Sequence, residues 1–226
     1  MKILLSVFLL GATLCSGSRE PLMDYDYSGY AVVYGGKFPA PVIHGETRMS
    51  DGIPTSLRLD GKENFLTIPG GEKVSLVNGG TLYAVVKFRR EKAFGMLFFK
   101  ENEFLLGYYQ KNLYFNMPNG KKFNAPVYCG PVPLDEWCRA AAVVSVKDGD
   151  YFVRLHLNGK KTEETVFRAL DYKTSNGKLT IGKGWGGVWF LSGEIAILKV
   201  FDVPLTDAEI AELDKQSPYR FLPQNL

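Results

Sequence analysis

Histidine is nearly missing from this chain: two residues in 226, His44 and His156, in different segments. Cysteine is almost as scarce, at three. With two thiols close together and no histidine beside them, no tetrahedral zinc set can be assembled locally. There is no block of like charge. The formal net charge is +3, and Arg89-Arg90, Lys121-Lys122 and Lys160-Lys161 are isolated pairs. Such a pattern lacks the basic footprint of a nucleic-acid binder. Long apolar runs are absent too. Residues 3–14 are mostly apolar but fall short of the ~20 residues that a membrane span needs. Helical periodicity is convincing over residues 207–215 alone.

The N-terminus reads as a secretory leader. Lys2 supplies a minimal charged region, residues 3–14 the apolar stretch, and Ser16-Gly17-Ser18 the small residues of a cleavage site. We therefore expect a leader over residues 1–18, one domain over residues 19–216, and a Pro-containing tail over residues 217–226. The mature chain has no candidate membrane span, and the expected location is extracellular or periplasmic. Cys129 and Cys138 remain after cleavage, spaced as CGPVPLDEWC. In an oxidising compartment an isolated pair at this distance is expected to form a disulfide. So short a loop would contribute roughly 2.5–3 kcal/mol in the chain-entropy model.

What the chain does contain is strand after short strand. Residues 80–88 (GTLYAVVKF) alternate, with Leu82, Ala84, Val86 and Phe88 on one face. Residues 57–59, 65–68, 95–99, 103–109, 112–117, 122–127, 137–146 and 150–157 follow the same logic. Asp60-Gly61, Pro118-Asn119-Gly120, Asp148-Gly149 and Asn158-Gly159 read as hairpin turns. Residues 29–34 offer an opening strand and Val42-Ile43 another. Asp24, Tyr25, Asp26 and Tyr27 form an acidic-aromatic patch, read as an N-terminal arm whose tyrosines pack along the domain.

The organising stretch is residues 179–213. A strand ends in Ile181-Gly182 and a Gly/Trp loop (GKGWGGVW) follows. Next comes a strand over residues 193–201 that is apolar on both faces, hence central to a sheet. In it Ile195 and Ile197 point one way and Ala196, Leu198 and Val200 the other. Pro204 stops the strand, and Thr206 with Glu209 three residues on forms a capping box.

Ile181, Gly182, Phe190, Gly193, Ile195, Val200, Leu205, Thr206, Glu209 and Ile210 together resemble the closing motif of the laminin-G-like, concanavalin A-like jelly-roll superfamily. SLRLDGKENFLTIP (56–69) is similar to that family's early strand pair, and residues 136–161 to its "W..va" hairpin. The resemblance implies an all-β, two-sheet antiparallel jelly-roll sandwich with one short C-terminal helix. It specifies a fold far more than an activity.

Catalysis finds little support. Laminarinase-type relatives carry an ExDxxE run that places carboxylates on one strand face, and no such run occurs here. Glu101 and Glu103 would face together, but at a turn where a solvated edge is expected. Lyase-type chemistry would need a His and a Tyr. His156 alternates with Leu155 and Leu157 and is read as a structural, solvent-side histidine. No catalytic residue is assigned; a polysaccharide hydrolase or lyase is the alternative reading, and a protein-interaction or structural module another. The leading reading is noncatalytic recognition of a glycan or an extracellular matrix or surface ligand. Trp185, in a Gly-rich loop, and Tyr108, Tyr109 and Tyr114, on neighbouring strands, are the candidate ligand contacts. Trp137 and Trp189 are read as core. No cofactor is required; calcium is the candidate ion, with Asp60, Asn64, Asp148 and Asp150 the weak ligand set.

Overall fold

The computed structural model describes residues 19–29, 32–50, 55–89, 93–120, 122–168 and 170–216. The leader and the tail expected from the sequence lie outside them. In chain order the strands are β1 Met23–Asp26, β2 Val33–Gly36, β3 Val42–His44, β4 Arg48–Met49, β5 Leu57–Asp60 and β6 Phe65–Ile68. Then come β7 Gly80–Phe88, β8 Phe94–Lys100, β9 Phe104–Tyr109, β10 Asn112–Asn119, β11 Lys122–Cys129 and β12 Trp137–Lys147. The last are β13 Asp150–Leu157, β14 Lys160–Lys161, β15 Thr165–Phe167, β16 Leu179–Ile181 and β17 Ser192–Phe201, before helix α1, Asp207–Gln216.

These strands build two antiparallel sheets, the jelly-roll sandwich. One runs β14-β13-β12-β7-β17-β1-β2, with β15 on β13, β5 on β17 and β4 on β5. The other has seven strands, β11-β10-β9-β8-β16-β6-β3. The alternation of β7 sets the layering. Leu82, Ala84, Val86 and Phe88 enter the core between the sheets, while Tyr83 and Val85 face outward into a second cluster. That second cluster is covered by Ile210 of α1 and by Leu205 just before the helix. The helix starts at the expected capping box: Thr206 N–H donates to Glu209 Oε2 at 2.7 Å, and Glu209 N–H to Thr206 Oγ1 at 3.2 Å.

β17 is central, between β7 and β1 with β5, as its two apolar faces require. Its alternation is broken, however. A bulge between Ile195 and Ile197 turns Ile197 outward beside Ala196, while Ile195, Leu198 and Val200 share the inner core. The added residue shifts the side-chain phase by one, which strict period-2 reading cannot anticipate. The Asp60-Gly61 turn is not a hairpin. β5 pairs within the larger sheet and β6 within the smaller one, so the chain crosses the sandwich there. Asp60 holds that corner by accepting N–H bonds from Lys62, Glu63 and Asn64 on Oδ1.

The opening strand is β1, earlier than expected. Tyr25 and Tyr27 are buried in the core, as packed tyrosines, and Asp24 pairs with Lys199 at 2.5 Å. Part of the stretch 29–34 lies outside the described residues; β2 covers Val33 onward.

The disulfide is a correction: Cys129 and Cys138 are both free thiols. Cys129 ends β11 in one sheet and Cys138 belongs to β12 in the other. Cys138 is fully buried, and burial pushes its thiol up to about 12. Glu103 is a second correction. It is fully buried and ion-paired with buried Lys100 at 2.7 Å, whereas Glu101 is exposed. His156 does oppose Leu155 and Leu157. It lies under the start of α1 rather than in solvent, 6% exposed and 3.6 Å from Asp207. No described helix is long and apolar enough to cross a membrane.

Candidate functional site

The two outer faces of the sandwich differ. The larger sheet's outer face is covered by α1. On the seven-stranded sheet, the outward positions carry a second kind of surface: Met96, Phe99 and Leu105 form its buried base, with Tyr114, Phe123, Trp185 and Trp189 packed on it.

Aromatic rings form a row across this face, perpendicular to the strands. Phe94 and Tyr109 are direct cross-strand partners on β8 and β9, as are Tyr114 and Tyr128 on β10 and β11. Centroids step from Phe94 to Trp189 at 4.8 Å, Trp189 to Tyr109 at 5.7 Å, Tyr109 to Tyr114 at 5.4 Å and Tyr114 to Tyr128 at 5.1 Å. This is about one ring per strand spacing. Tyr128 is the most open, at 48% exposed. Trp185 joins from above, edge-on to Phe99, Phe123 and Trp189.

The loop that carries both indoles is closed by its own hydrogen bonds. Gly184 N–H donates to Trp189 O at 3.0 Å, Leu191 N–H to Gly182 O at 2.9 Å, and Thr180 Oγ1 to Lys183 O at 2.8 Å. Gly184 lets it lie flat on the sheet, since a Cβ there would sit 2.5 Å from Met96 Cγ. Gly186 takes the left-handed conformation, φ 60°, that glycine adopts without steric cost. The rings are thus placed before any ligand arrives, which lowers the ordering cost of binding.

Asn116 fixes the polar end of the row. Its Oδ1 accepts from Ala125 N–H at 3.0 Å and its Nδ2 donates to the Tyr114 hydroxyl at 2.6 Å. Burial raises the Tyr114 hydroxyl above the ordinary tyrosine value; the Asn116 bond opposes this and nearby Tyr128 and Tyr109 add to it. The hydroxyl therefore stays protonated and able to donate. None of the seven strands contains an Asp or Glu. At the far edge, Lys183 Nζ lies 4.2 Å from the Phe65 ring centroid, and His44 stacks on the same ring at 4.2 Å.

Of the ligand contacts expected from sequence, Trp185, Tyr109 and Tyr114 share this face. Tyr108 does not: it points inward, 4% exposed, its ring against Phe88. Trp189, read as core, stands on the face, because Phe190 and Leu191 are the buried pair and Trp189 points away from them. Trp137 is only partly buried, on the α1 side, with Lys87 Nζ 5.0 Å from its ring centroid. Tyr128 and Asn116 were missed. Alternation past inward Ala125 and Val127 signals Tyr128, but its pairing with Tyr114 needs the register.

The ion candidates lie apart from this face. Asp60 is occupied by backbone N–H groups; burial raises its carboxyl, and the three donors outweigh it to hold it below the usual value. Asn64 Nδ2 donates to Glu46 O at 3.0 Å. Asp148 and Asp150 flank the β12–β13 turn, with Asp148 at φ 54°. Among the described residues no group of three or more His, Cys, Asp or Glu side chains converges.

The architecture defines a jelly-roll sandwich of the lectin-like class. The family model described as the concanavalin A-like lectin/glucanases superfamily matches residues 60–211, and the chain belongs to that superfamily. Comparison with curated proteins gave no match. Among solved structures, domain 4 of AbnA, a GH43 extracellular arabinanase from Geobacillus stearothermophilus in complex with arabinotriose, superposes with a TM-score of 0.68 at 17% identity. That match covers 86% of this chain and 98% of the other. The receptor binding domain of botulinum neurotoxin C/D mosaic serotype gives 0.68 at 10% identity, covering 85% of this chain and 50% of that one. The binding domain of Paraclostridial Mosquitocidal Protein 1 gives 0.68 at 13%, covering 85% and 51%. This chain spans about half the length of the toxin domains. Identities this low establish a shared fold.

Proposed function

We propose that the protein is a noncatalytic glycan-binding module acting outside the cell, with its site along the aromatic row of the seven-stranded sheet. The observation that carries this reading is the row itself: uncovered by any described helix, pre-positioned, and on strands without a single carboxylate. A sugar ring presents a C–H face that packs on an aromatic face, where the π-cloud is negative. Hydroxyls of successive units would meet the Tyr109, Tyr114 and Tyr128 hydroxyls. Glycoside hydrolysis of the usual kind needs two flanking carboxylates, which these strands do not supply. The leader expected over residues 1–18 supports an extracellular location. So does the fold shared with a domain of an extracellular arabinanase seen with arabinotriose.

The test is a glycan array that includes arabino-oligosaccharides, read with the parent protein and with Tyr109→Ala, Tyr114→Ala and Trp189→Ala. Each truncated ring is expected to weaken binding about tenfold, the equivalent of ~1.4 kcal/mol. Binding is expected to persist in a chelator. Near-UV circular dichroism confirms that each variant is folded. Absence of binding to every glycan, or parent-like binding by all three folded variants, refutes the proposal.

A further inference from the structure

A separate cavity of about 680 Å³ opens at the end of the sandwich beside α1. Its size falls within the ~300–1,000 Å³ of small-molecule clefts. One wall is β12, whose outward residues Trp137 and Arg139 line it; the other is the α1 stripe Ala211, Asp214 and Lys215. None of these residues belongs to the aromatic row.

The floor is a buried ion pair with unused hydrogen-bonding capacity. Arg139 is 5% exposed and Asp214 8%. Among the described residues, the guanidinium makes one hydrogen bond, from Nη1 to the Asp214 backbone carbonyl at 3.2 Å. Its Nε, 3.9 Å from Asp214 Oδ2, makes none. A guanidinium carries five N–H donors. Asp214 Oδ1 accepts from the Tyr83 hydroxyl at 3.0 Å. Burial of such groups is unfavourable until their partners are supplied.

We infer that this cavity binds a single sugar unit, a monosaccharide or the terminal residue of a glycan, at a site distinct from the aromatic face. Charge on the walls decides the class. An anion would meet Asp214 and Glu136; a cation would meet Arg139, Lys160 and Lys215. A hydroxyl fits both, accepting from the guanidinium while donating to the carboxylate. Adjacent hydroxyls on one ring do this together while the ring's C–H face lies on the Trp137 indole. The inference stands on this geometry and does not need the aromatic row to bind.

The three tryptophans give three indole N–H resonances, so two-dimensional ¹H–¹⁵N NMR separates the sites. The probes are glucose, galactose, mannose, xylose and arabinose, each titrated into the full chain. At least one is expected to move the Trp137 resonance along a saturating, millimolar curve. Ala211 is exposed on α1 and lines the mouth. Ala211→Phe is expected to weaken that curve at least tenfold without unfolding the protein, whereas Tyr109→Ala leaves it unchanged. The inference is overturned if no sugar moves Trp137, or if Ala211→Phe titrates like the parent. It is also overturned if Tyr109→Ala abolishes the Trp137 response, which would assign that response to the aromatic face.

Discussion

Glu103→Gln is expected to destabilise the fold by about 3 kcal/mol, although it removes no atom from the core. Both Glu103 and Lys100 are fully buried. Glu103 Oε2 accepts from Lys100 Nζ at 2.7 Å and from Ser175 N–H at 2.9 Å, and Oε1 accepts from Leu76 N–H at 3.2 Å. Lys100 Nζ also donates to the backbone carbonyls of Glu72 and Val74. The ion pair therefore ties two separate loops, the β6–β7 and β15–β16 connections, to the β8–β9 turn. A glutamine amide keeps one oxygen. Its NH2 must then face either the Leu76 N–H or the pair Lys100 and Ser175, donor against donor. The ammonium is left buried without its counter-charge, which typically costs about 3–5 kcal/mol. For a domain of this size 3 kcal/mol corresponds to roughly 6–12 °C in Tm. Urea denaturation measures it directly. Lys100→Met in the Glu103→Gln background removes the stranded charge, so the double variant is expected to cost less than the two singles combined. A Glu103→Gln protein within about 1 kcal/mol of the parent, or a strictly additive double variant, would refute the reasoning.

Thr206→Ala removes the hydroxyl that accepts the Glu209 N–H and should cost about 1 kcal/mol in the same assay. Burial lowers the His156 pKa below its usual 6.5, with nearby Asp207 opposing and Arg154 and Lys161 reinforcing. The unfolded chain then takes up the proton first, so stability falls as pH drops through 6.5 towards the folded-state value. His156→Leu is expected to flatten that slope in denaturation curves, and an unchanged slope would contradict it. Alkylation of the unfolded, unreduced protein should label both Cys129 and Cys138, while in the native protein Cys138 stays unlabelled because it is buried as the thiol.

The strands were legible because alternation is a local property: β7 and β13 fall where the sequence pattern puts them. What failed was whatever depends on a partner strand. A bulge in β17 reverses Ile197. Asp60-Gly61 has hairpin chemistry yet joins different sheets, because a turn's residues fix its backbone and not which strand pairs next. The Cys129–Cys138 spacing suggested a bridge, but both thiols are free, and the seven-residue connection between β11 and β12 carries the chain from one sheet to the other. Glu103 sits in a Lys-Glu-Asn-Glu turn that reads as solvated, and only the returning segments at Leu76 and Ser175 bury it. At the candidate site, Tyr109, Tyr114 and Trp185 were visible as aromatics near glycine or on adjacent strands. Tyr108 was misplaced by one residue of phase, and Trp189 by the apolar pair that follows it.

The asymmetry of the two outer faces follows from these placements. A sheet with apolar residues on both sides must cover the second side or expose it. The larger sheet does so with Ile210 and Leu213 of α1, on aliphatic and alanine positions such as Val85, Ala141 and Val143. The seven-stranded sheet has aromatic residues there instead, and each ring shields part of its neighbour. Tyr114 and Tyr109 remain half-buried. Such a surface gains when a flat, partly apolar and hydrogen-bonding ligand displaces its water. An aliphatic surface of equal area would instead favour burial against another apolar face. The aromatic composition of this face, rather than the fold it shares with other jelly rolls, is therefore what carries the proposal of glycan binding.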